Sequence, residues 1–204
     1  LHSRIAGEIG FPCFVKPANL GSSVGVVKVK SLEDLPSAIQ TAFSYDTKII
    51  VEKGIDCREI EVAVLEDLDP EAPPVASIPG EIVPRHEFYS YEAKYIDDDG
   101  AALKIPADLS PAQQDKVRQV AARVFVALEG EGLTRCDFLL DKTSGTFYFN
   151  EVNTMPGFTS ISMYPKLMEA SGIPYPRLLS HLIELALLRH RRKSALKRDF
   201  SVGQ

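Results

Sequence analysis

The chain has 204 residues, 45% apolar and 25% charged, a balance that excludes an intrinsically disordered protein. Its 23 Lys and Arg against 28 Asp and Glu give a net charge of −5, which excludes the diffuse cationic surface of a nucleic-acid binder. No apolar stretch is long enough to span a bilayer, and Cys13, Cys57 and Cys136 have neither metal nor redox spacing, so they read as reduced thiols.

Residues 11–16 (FPCFVK) and 25–30 (GVVKVK) read as strands flanking a Gly/Ser loop. Glycines let a backbone approach a phosphate, and Ser22 and Ser23 add hydroxyl donors behind Lys16. A plain hairpin explains the same residues. Ser31 with Asp34 predicts a capped helix running to about Tyr45. Residues 48–53 (KIIVEK) form an apolar strand ending in Glu52 and Lys53, which suits an adenine edge or a simple sheet edge. Residues 59–65 alternate, with Ile60, Val62 and Val64 on one face.

Residues 66–100 carry five prolines and the aromatic run FYSYEAKY (88–95), the composition of a long loop that is either a lid or an insertion. Ser110, Pro111 and Gln113 then start a helix. Val117, Val120, Ala121, Val124, Phe125 and Leu128 form its core stripe, and Gly130 and Gly132 stop it. Strands follow at 134–140 and 146–152, and helices at roughly 162–171 and 176–192. The basic run at 189–193 complements the dipole at the last helix's C-terminus. Helices and strands alternate around a hairpin, which predicts an α+β (mixed α/β) fold.

The hairpin carries the main chemical signal. Side chains alternate faces, so Arg135 and Asp137 share one side, as do Glu151 and Asn153 if the second strand continues. A turn centred on Ser144 sets Asp137 opposite Glu151 and Arg135 opposite Asn153, with the paired Cβ atoms about 5 Å apart. Two carboxylates that close repel, and a divalent cation removes the conflict. Hard oxygen donors suit Mg²⁺ or Mn²⁺. A solvated polar face is the alternative. Cys136, Phe138, Leu140, Tyr148 and Val152 on the other side can pack a core, which favours the metal. Further on, EVNTMPGFTSIS (151–162) precedes a helix whose first N–H groups suit a carboxylate, or serve only as an N-cap turn.

VKPANLGSSVGVVKV, IIVEKGI, FYSYEAKY, LTRCDFLLD and FNEVNTMPGFTSISMYPKL together resemble the ATP-grasp superfamily, and within it the D-alanine–D-alanine ligase family, in order and spacing from about residue 11 to about residue 190. The resemblance implies two subdomains sandwiching the nucleotide: part of a central one at 1–58, and a C-terminal one at 59–204 with a lid loop at about 84–100. It implies that Lys16, Lys94, Ser22 and Ser23 contact the ATP phosphates, that Glu52 with the backbone of Lys53 and Ile55 reads adenine, and that Glu59 holds the ribose. Asp137, Glu151 and Asn153 would bind two Mg²⁺ (or Mn²⁺) ions. Arg135, Ser22, Tyr95 and the Gly157 N–H would act in catalysis, and Ser162 with the Met163 backbone would hold the second D-alanine. Tyr95 favours a D-alanine acceptor over those of depsipeptide-forming relatives.

The implied reaction joins two D-alanines for peptidoglycan precursors through an acyl phosphate, in the bacterial cytoplasm. The partners implied are D-alanine and a second copy of the full-length protein, with neither nucleic acid nor membrane. The competing readings are another ATP-grasp carboxylate–amine ligase and a non-catalytic nucleotide-binding fragment. The start at Leu1 without methionine reads as that of a fragment lacking the family's N-terminal domain, and catalysis by these residues alone is not expected.

Overall fold

The computed structural model describes residues 1–84, 101–159 and 161–197. They form two compact units, one built on Leu1–Cys57 with Asp141–Thr143, the other on Arg58–Ile82, Leu103–Leu140 and the chain from Ser144 onward.

The first unit opens with a helix that the sequence reading did not identify, α1 (His2–Glu8). Strands β1 (Cys13–Pro17), β2 (Val27–Val29) and β3 (Ile49–Lys53) form an antiparallel sheet in the order β2-β1-β3. Helix α2 spans Leu35–Phe43, with Asp34 as its N-cap residue, so it starts later than the Ser31 signal suggested. Pro36 is the reason. In a helix begun at Ser31 the proline would lie beyond the first turn, where its missing N–H and its ring are not tolerated. Ser31 instead donates its hydroxyl to Asp34 Oδ2 at 2.9 Å. Ile5, Cys13, Val15, Val29, Leu35, Ala38 and Ala42 are the buried core. Strand alternation therefore sends Cys13 and Val15 inward and Phe14 and Lys16 outward. Phe14 pairs with Glu52 and Lys16 with Ile50, so Lys16 and Glu52 share the outward face.

The second unit centres on β4 (Cys57–Leu65). The supposed long loop after it contains β5 (Val75–Ala76) and β6 (Gly80–Pro84), both antiparallel to β4. Its prolines punctuate these strands at their margins, where a missing N–H breaks no central ladder. After β7 (Ala101–Lys104) comes α3 (Pro111–Ala127). The expected capping box is present: Gln113 N–H donates to Ser110 Oγ at 3.3 Å, and Ser110 N–H to Gln113 Oε1 at 3.0 Å. The helix ends differently from the expectation. Glu129, with φ of 51°, takes the left-handed position, and Gly130 N–H donates back to Phe125 O at 2.8 Å. Leu128, placed in the core stripe by periodicity, is 57% exposed because the helix has already ended.

Strands β8 (Leu133–Asp141) and β9 (Phe147–Asn153) are followed by α4 (Met163–Ala170) and α5 (Tyr175–Ser194). The sheet order is β7-β6-β4-β8-β9, with β5 paired to β4. Both faces of β4 are covered in part. Ile60, Val62 and Val64 pack with Val117, Ala121 and Phe125 of α3 and with Cys136, Phe138 and Leu140. On the other face Ala63 and Leu65 pack under Tyr164, Leu167, Met168 and Leu178 of α4 and α5. That helical layer ends before Glu59 and Glu61, the acidic positions of the same β4 face. No described helix is long and apolar enough to cross a membrane.

Candidate functional site

Beyond the cover of α4 and α5, the second unit's sheet is polar. The observed register pairs Asp137 with Glu151 and Arg135 with Asn153. It reaches that pairing through a β-bulge, since Phe138 pairs with Phe149 and Leu140 with Phe147. The bulge is required by parity. Phe147 and Phe149 meet Phe138 edge-on, with ring centroids 6.4 and 5.7 Å away, on the core side. Glu151 and Asn153 face the other way, opposite Asp137 and Arg135. In an unbroken strand all four odd-numbered residues would share one face. The same shift corrects the expectation for Tyr148, which pairs with Leu139 and is 46% exposed, not buried in the core.

Arg135 grips Asp137 with two parallel bonds, Nε to Oδ1 at 2.7 Å and Nη2 to Oδ2 at 2.7 Å. Asn153 Nδ2 donates to Asp137 Oδ2 at 2.9 Å. Glu61 Oε2, on the neighbouring β4, lies 3.1 Å from Arg135 Nε. Burial alone would lower the Arg135 pKa, but the Asp137 hydrogen bonds and the fields of Glu61, Asp137 and Glu151 together hold it above the ordinary arginine value. The guanidinium is therefore a fixed cation. Glu61 is 5% exposed and was overlooked in the sequence. Its parity with Glu59, just before the apolar run Val62–Leu65, was the available signal.

Among the described residues there is no cluster of three His, Cys, Asp or Glu side chains arranged around a metal. Two carboxylates and an amide nevertheless fit Mg²⁺. That ion keeps several waters and is ordinarily bound through one or two carboxylates plus substrate phosphates, not by a full protein cage.

In the first unit, Lys16 Nζ pairs with Glu52 Oε2 at 2.8 Å. Ser22 and Ser23 both lie in the left-handed region, with φ of 57° and 58°. Two consecutive non-glycine residues there store roughly 1–3 kcal/mol each, a cost that clusters at ligand-binding loops. Gly25, with φ of 72°, has no room for a side chain, because a Cβ would stand 2.7 Å from the Tyr45 ring. Asn19 ties the loop's base through its N–H and Nδ2 to Asp46 Oδ2, at 2.8 and 2.9 Å. Lys53 ends β3, and Ile55 lies in the connection to β4, where Gly54 N–H donates to Pro12 O at 2.8 Å. Glu59 belongs to β4, paired with Ile82.

At the start of α4, Ser162 is the N-cap residue but makes no side-chain cap bond. Thr159 N–H donates to its Oγ at 3.1 Å, and the Thr159 hydroxyl lies 2.9 Å from that same oxygen. A Cβ at Gly157 would meet Ser162 Oγ at 3.0 Å, so the glycine lets the two segments close up. Met163 is buried, which leaves its backbone as the group that can serve a ligand. Lys94, Tyr95, Ser160 and the lid residues from 85 to 100 lie outside the described residues. A cavity of about 390 Å³ beside α5, lined by Glu66, Glu131, Leu182, Leu185, Arg189 and His190 among others, contains none of these site residues.

A family model described as D-ala D-ala ligase C-terminus matches residues 1–184. The chain is 56% identical over 195 residues to D-alanine--D-alanine ligase A of Bradyrhizobium diazoefficiens, covering 95% of this chain and 51% of that protein. It is also 56% identical over 190 residues to a D-alanine--D-alanine ligase of Heliobacterium modesticaldum, covering 93% and 50%. Among solved structures, the D-alanine-D-alanine ligase from Coxiella burnetii matches with a TM-score of 0.80 at 38% identity, over 95% of this chain and 49% of that one. The VanG D-Ala:D-Ser ligase from Enterococcus faecalis matches with a TM-score of 0.78 at 34% identity, over 90% and 52%. The chain thus spans about half the length of the curated relatives it matches.

Proposed function

The chain belongs to the D-Ala–D-Ala ligase C-terminal family and shares the ATP-grasp fold of its structural neighbours, and from that premise we propose that it supplies nucleotide- and metal-handling residues to an enzyme joining two D-alanines with ATP. The observation that carries the reading is the facing of Asp137 with Glu151 and of Arg135 with Asn153 on the sheet face left open by α4 and α5.

In this reading Lys16, Lys94, Ser22 and Ser23 hold the ATP phosphates. Glu52 accepts from the adenine amine beside the backbone of Lys53 and Ile55, and Glu59 accepts from the ribose. Asp137, Glu151 and Asn153 hold two Mg²⁺ (or Mn²⁺) ions. When bound, such ions neutralise charge on a transferring phosphoryl group. An oxygen of the first D-alanine carboxylate attacks the γ-phosphorus, and ADP leaves. The amine of the second D-alanine then attacks the acyl carbon, and inorganic phosphate leaves. The oxygen of the tetrahedral intermediate needs a fixed cation and a fixed N–H, the roles of Arg135 and the Gly157 backbone. Ser162 and the Met163 N–H orient the second D-alanine carboxylate. Lys94, Tyr95 and their loop keep water from the acyl phosphate. The compartment in this reading is the bacterial cytoplasm, and the intact enzyme is a homodimer.

Phosphate release from ATP by the intact enzyme, with and without D-alanine, tests the assignment. Release that requires D-alanine, with D-alanyl-D-alanine as product, is expected. Release indifferent to D-alanine overturns it, and product formed only when D-serine is added reassigns the second substrate.

A further inference from the structure

Glu61 is a carboxylate almost wholly removed from water, 5% exposed, on a strand that continues as Val62, Ala63, Val64 and Leu65, all fully buried. A charge in such a place is expensive unless paired. Arg135 is a cation beside it, with Glu61 Oε2 at 3.1 Å from Nε; this is a charge contact, since the Nε hydrogen goes to Asp137 Oδ1. Arg135 already has a bidentate partner in Asp137. Asp137 takes two of the guanidinium's five N–H donors, and Glu61 brings a second carboxylate to it from another strand. Asp137 is also a metal-side residue in the proposed reaction, where its oxygens have a competing duty. A guanidinium that relied on Asp137 alone would shift whenever that carboxylate turned toward a cation. Glu61 sits on a different strand, its backbone fixed in the middle of the sheet, and it is not one of the residues assigned to the metal above.

We propose that Glu61 is the positioning residue for Arg135, keeping the guanidinium aimed at the reacting carbonyl while Asp137 is engaged elsewhere. The inference rests on the ligase reading for its catalytic consequence, but not for the coupling between the two side chains. Glu61 touches no substrate in this account and acts only through Arg135. The misplacement of one preorganised donor lowers turnover by about 10²–10³-fold while leaving ground-state binding largely intact.

Two measurements on the intact enzyme test the proposal. Glu61→Gln keeps the shape and removes the charge. It is expected to lower kcat by about 100-fold with the KM values for ATP and D-alanine nearly unchanged. Glu61→Asp, which keeps the charge on a shorter arm, is expected to recover part of the loss. Glu61→Gln combined with Arg135→Met should be no slower than Arg135→Met alone, because the positioning residue has nothing left to position. In urea unfolding of the parent, Glu61→Gln, Arg135→Met and the double variant, Arg135→Met should be the least stable, and adding Glu61→Gln should raise its midpoint by removing an unpaired buried charge.

A kcat for Glu61→Gln equal to the parent's overturns the proposal. So does a loss that multiplies with that of Arg135→Met. If Glu61→Gln does not fold, the kcat of Glu61→Asp alone decides, and parental turnover there overturns it. Should the parent show no D-alanine-dependent turnover, the ligase reading fails, and the unfolding cycle still reports whether Glu61 and Arg135 are coupled.

Discussion

Glu151 and Asp137 face each other across two strands, yet their surroundings differ. Asp137 is clamped by Arg135 and Asn153, whereas Glu151 is exposed at the strand surface. Asp137 is therefore the fixed member of the pair and Glu151 the adjustable one. Glu151→Gln should leave folding stability within about 0.5 kcal/mol, as befits a surface position. It should reduce Mg²⁺-dependent turnover of the intact enzyme by at least about 100-fold, the upper end of what an outer-shell partner costs. Parental turnover in the variant would remove Glu151 from the proposed metal ligands. One residue away from Asp137 along β8, Cys136 points into the opposite, apolar face. Burial, aided by the negative field of Asp137, pushes its thiol pKa up to about 12 from 9.0. Its thiolate fraction at pH 8 is then roughly a thousandfold below that of an ordinary thiol. Alkylation of the native protein followed by peptide mass mapping should modify the half-buried Cys57 first and spare Cys136 and Cys13. Equal labelling of all three would contradict the packing around β8.

Helix α3 is held at its two ends by devices that differ in how plainly they can be read. The Ser110–Gln113 box is visible in four letters, because it needs only residue types at a fixed offset. Ser110→Ala should cost about 1 kcal/mol in urea unfolding. At the other end, Gly130 stands where a Cβ would lie 2.7 Å from the Phe125 ring and 3.0 Å from its carbonyl oxygen. Gly130→Ala should cost about 1–3 kcal/mol through overpacking, and a neutral result would mean that the turn relaxes freely. That Glu129, and not a glycine, takes the left-handed residue was not legible, because the choice depends on contacts between the turn and the ring. The site hairpin divides in the same way. The facing of Asp137 and Glu151 followed from counting about a turn at Ser144, whereas the bulge that inverts Tyr148 did not. A bulge adds one residue without changing composition, and only the demand that Phe147 and Phe149 reach Phe138 requires it. The short strands β5 and β6 were hidden for a related reason: their prolines lie at the margins, where they resemble loop punctuation. Glu61 hides because an acid facing away from the Ile60, Val62 and Val64 stripe reads as solvated, and only the packing around β4 shows that this face is buried too.

Each of the two units encloses a neutral acid in its core: Cys13 in the first, Cys136 and Tyr164 in the second. Burial raises the pKa of all three. Tyr164 is fully buried, and its hydroxyl donates to Val64 O at 3.0 Å, so ionisation would cost that bond as well. The consequence for stability has a definite sign. Below pH 9 these groups are protonated in both folded and unfolded chains, and they contribute no pH dependence. Above the unfolded thiol value of 9.0, the unfolded chain releases protons that the folded chain retains. The unfolded state is then favoured, and stability falls as pH rises toward the folded value. Each thiol that ionises only when unfolded lowers stability by about 1.4 kcal/mol per pH unit once its unfolded value is passed, and the Tyr164 phenol joins above its own unfolded value of 10.0. Other groups also titrate in alkali, so the parent must be compared with a variant lacking one of the three. Cys136→Ala removes the titrating group at the loss of a single buried atom. Urea midpoints of the two proteins should run parallel from pH 7 to pH 9 and then converge or cross, the parent losing stability faster. Curves that stay parallel through pH 10.5 would show that the Cys136 thiol ionises in place, which a dry position between α3 and the sheet does not allow.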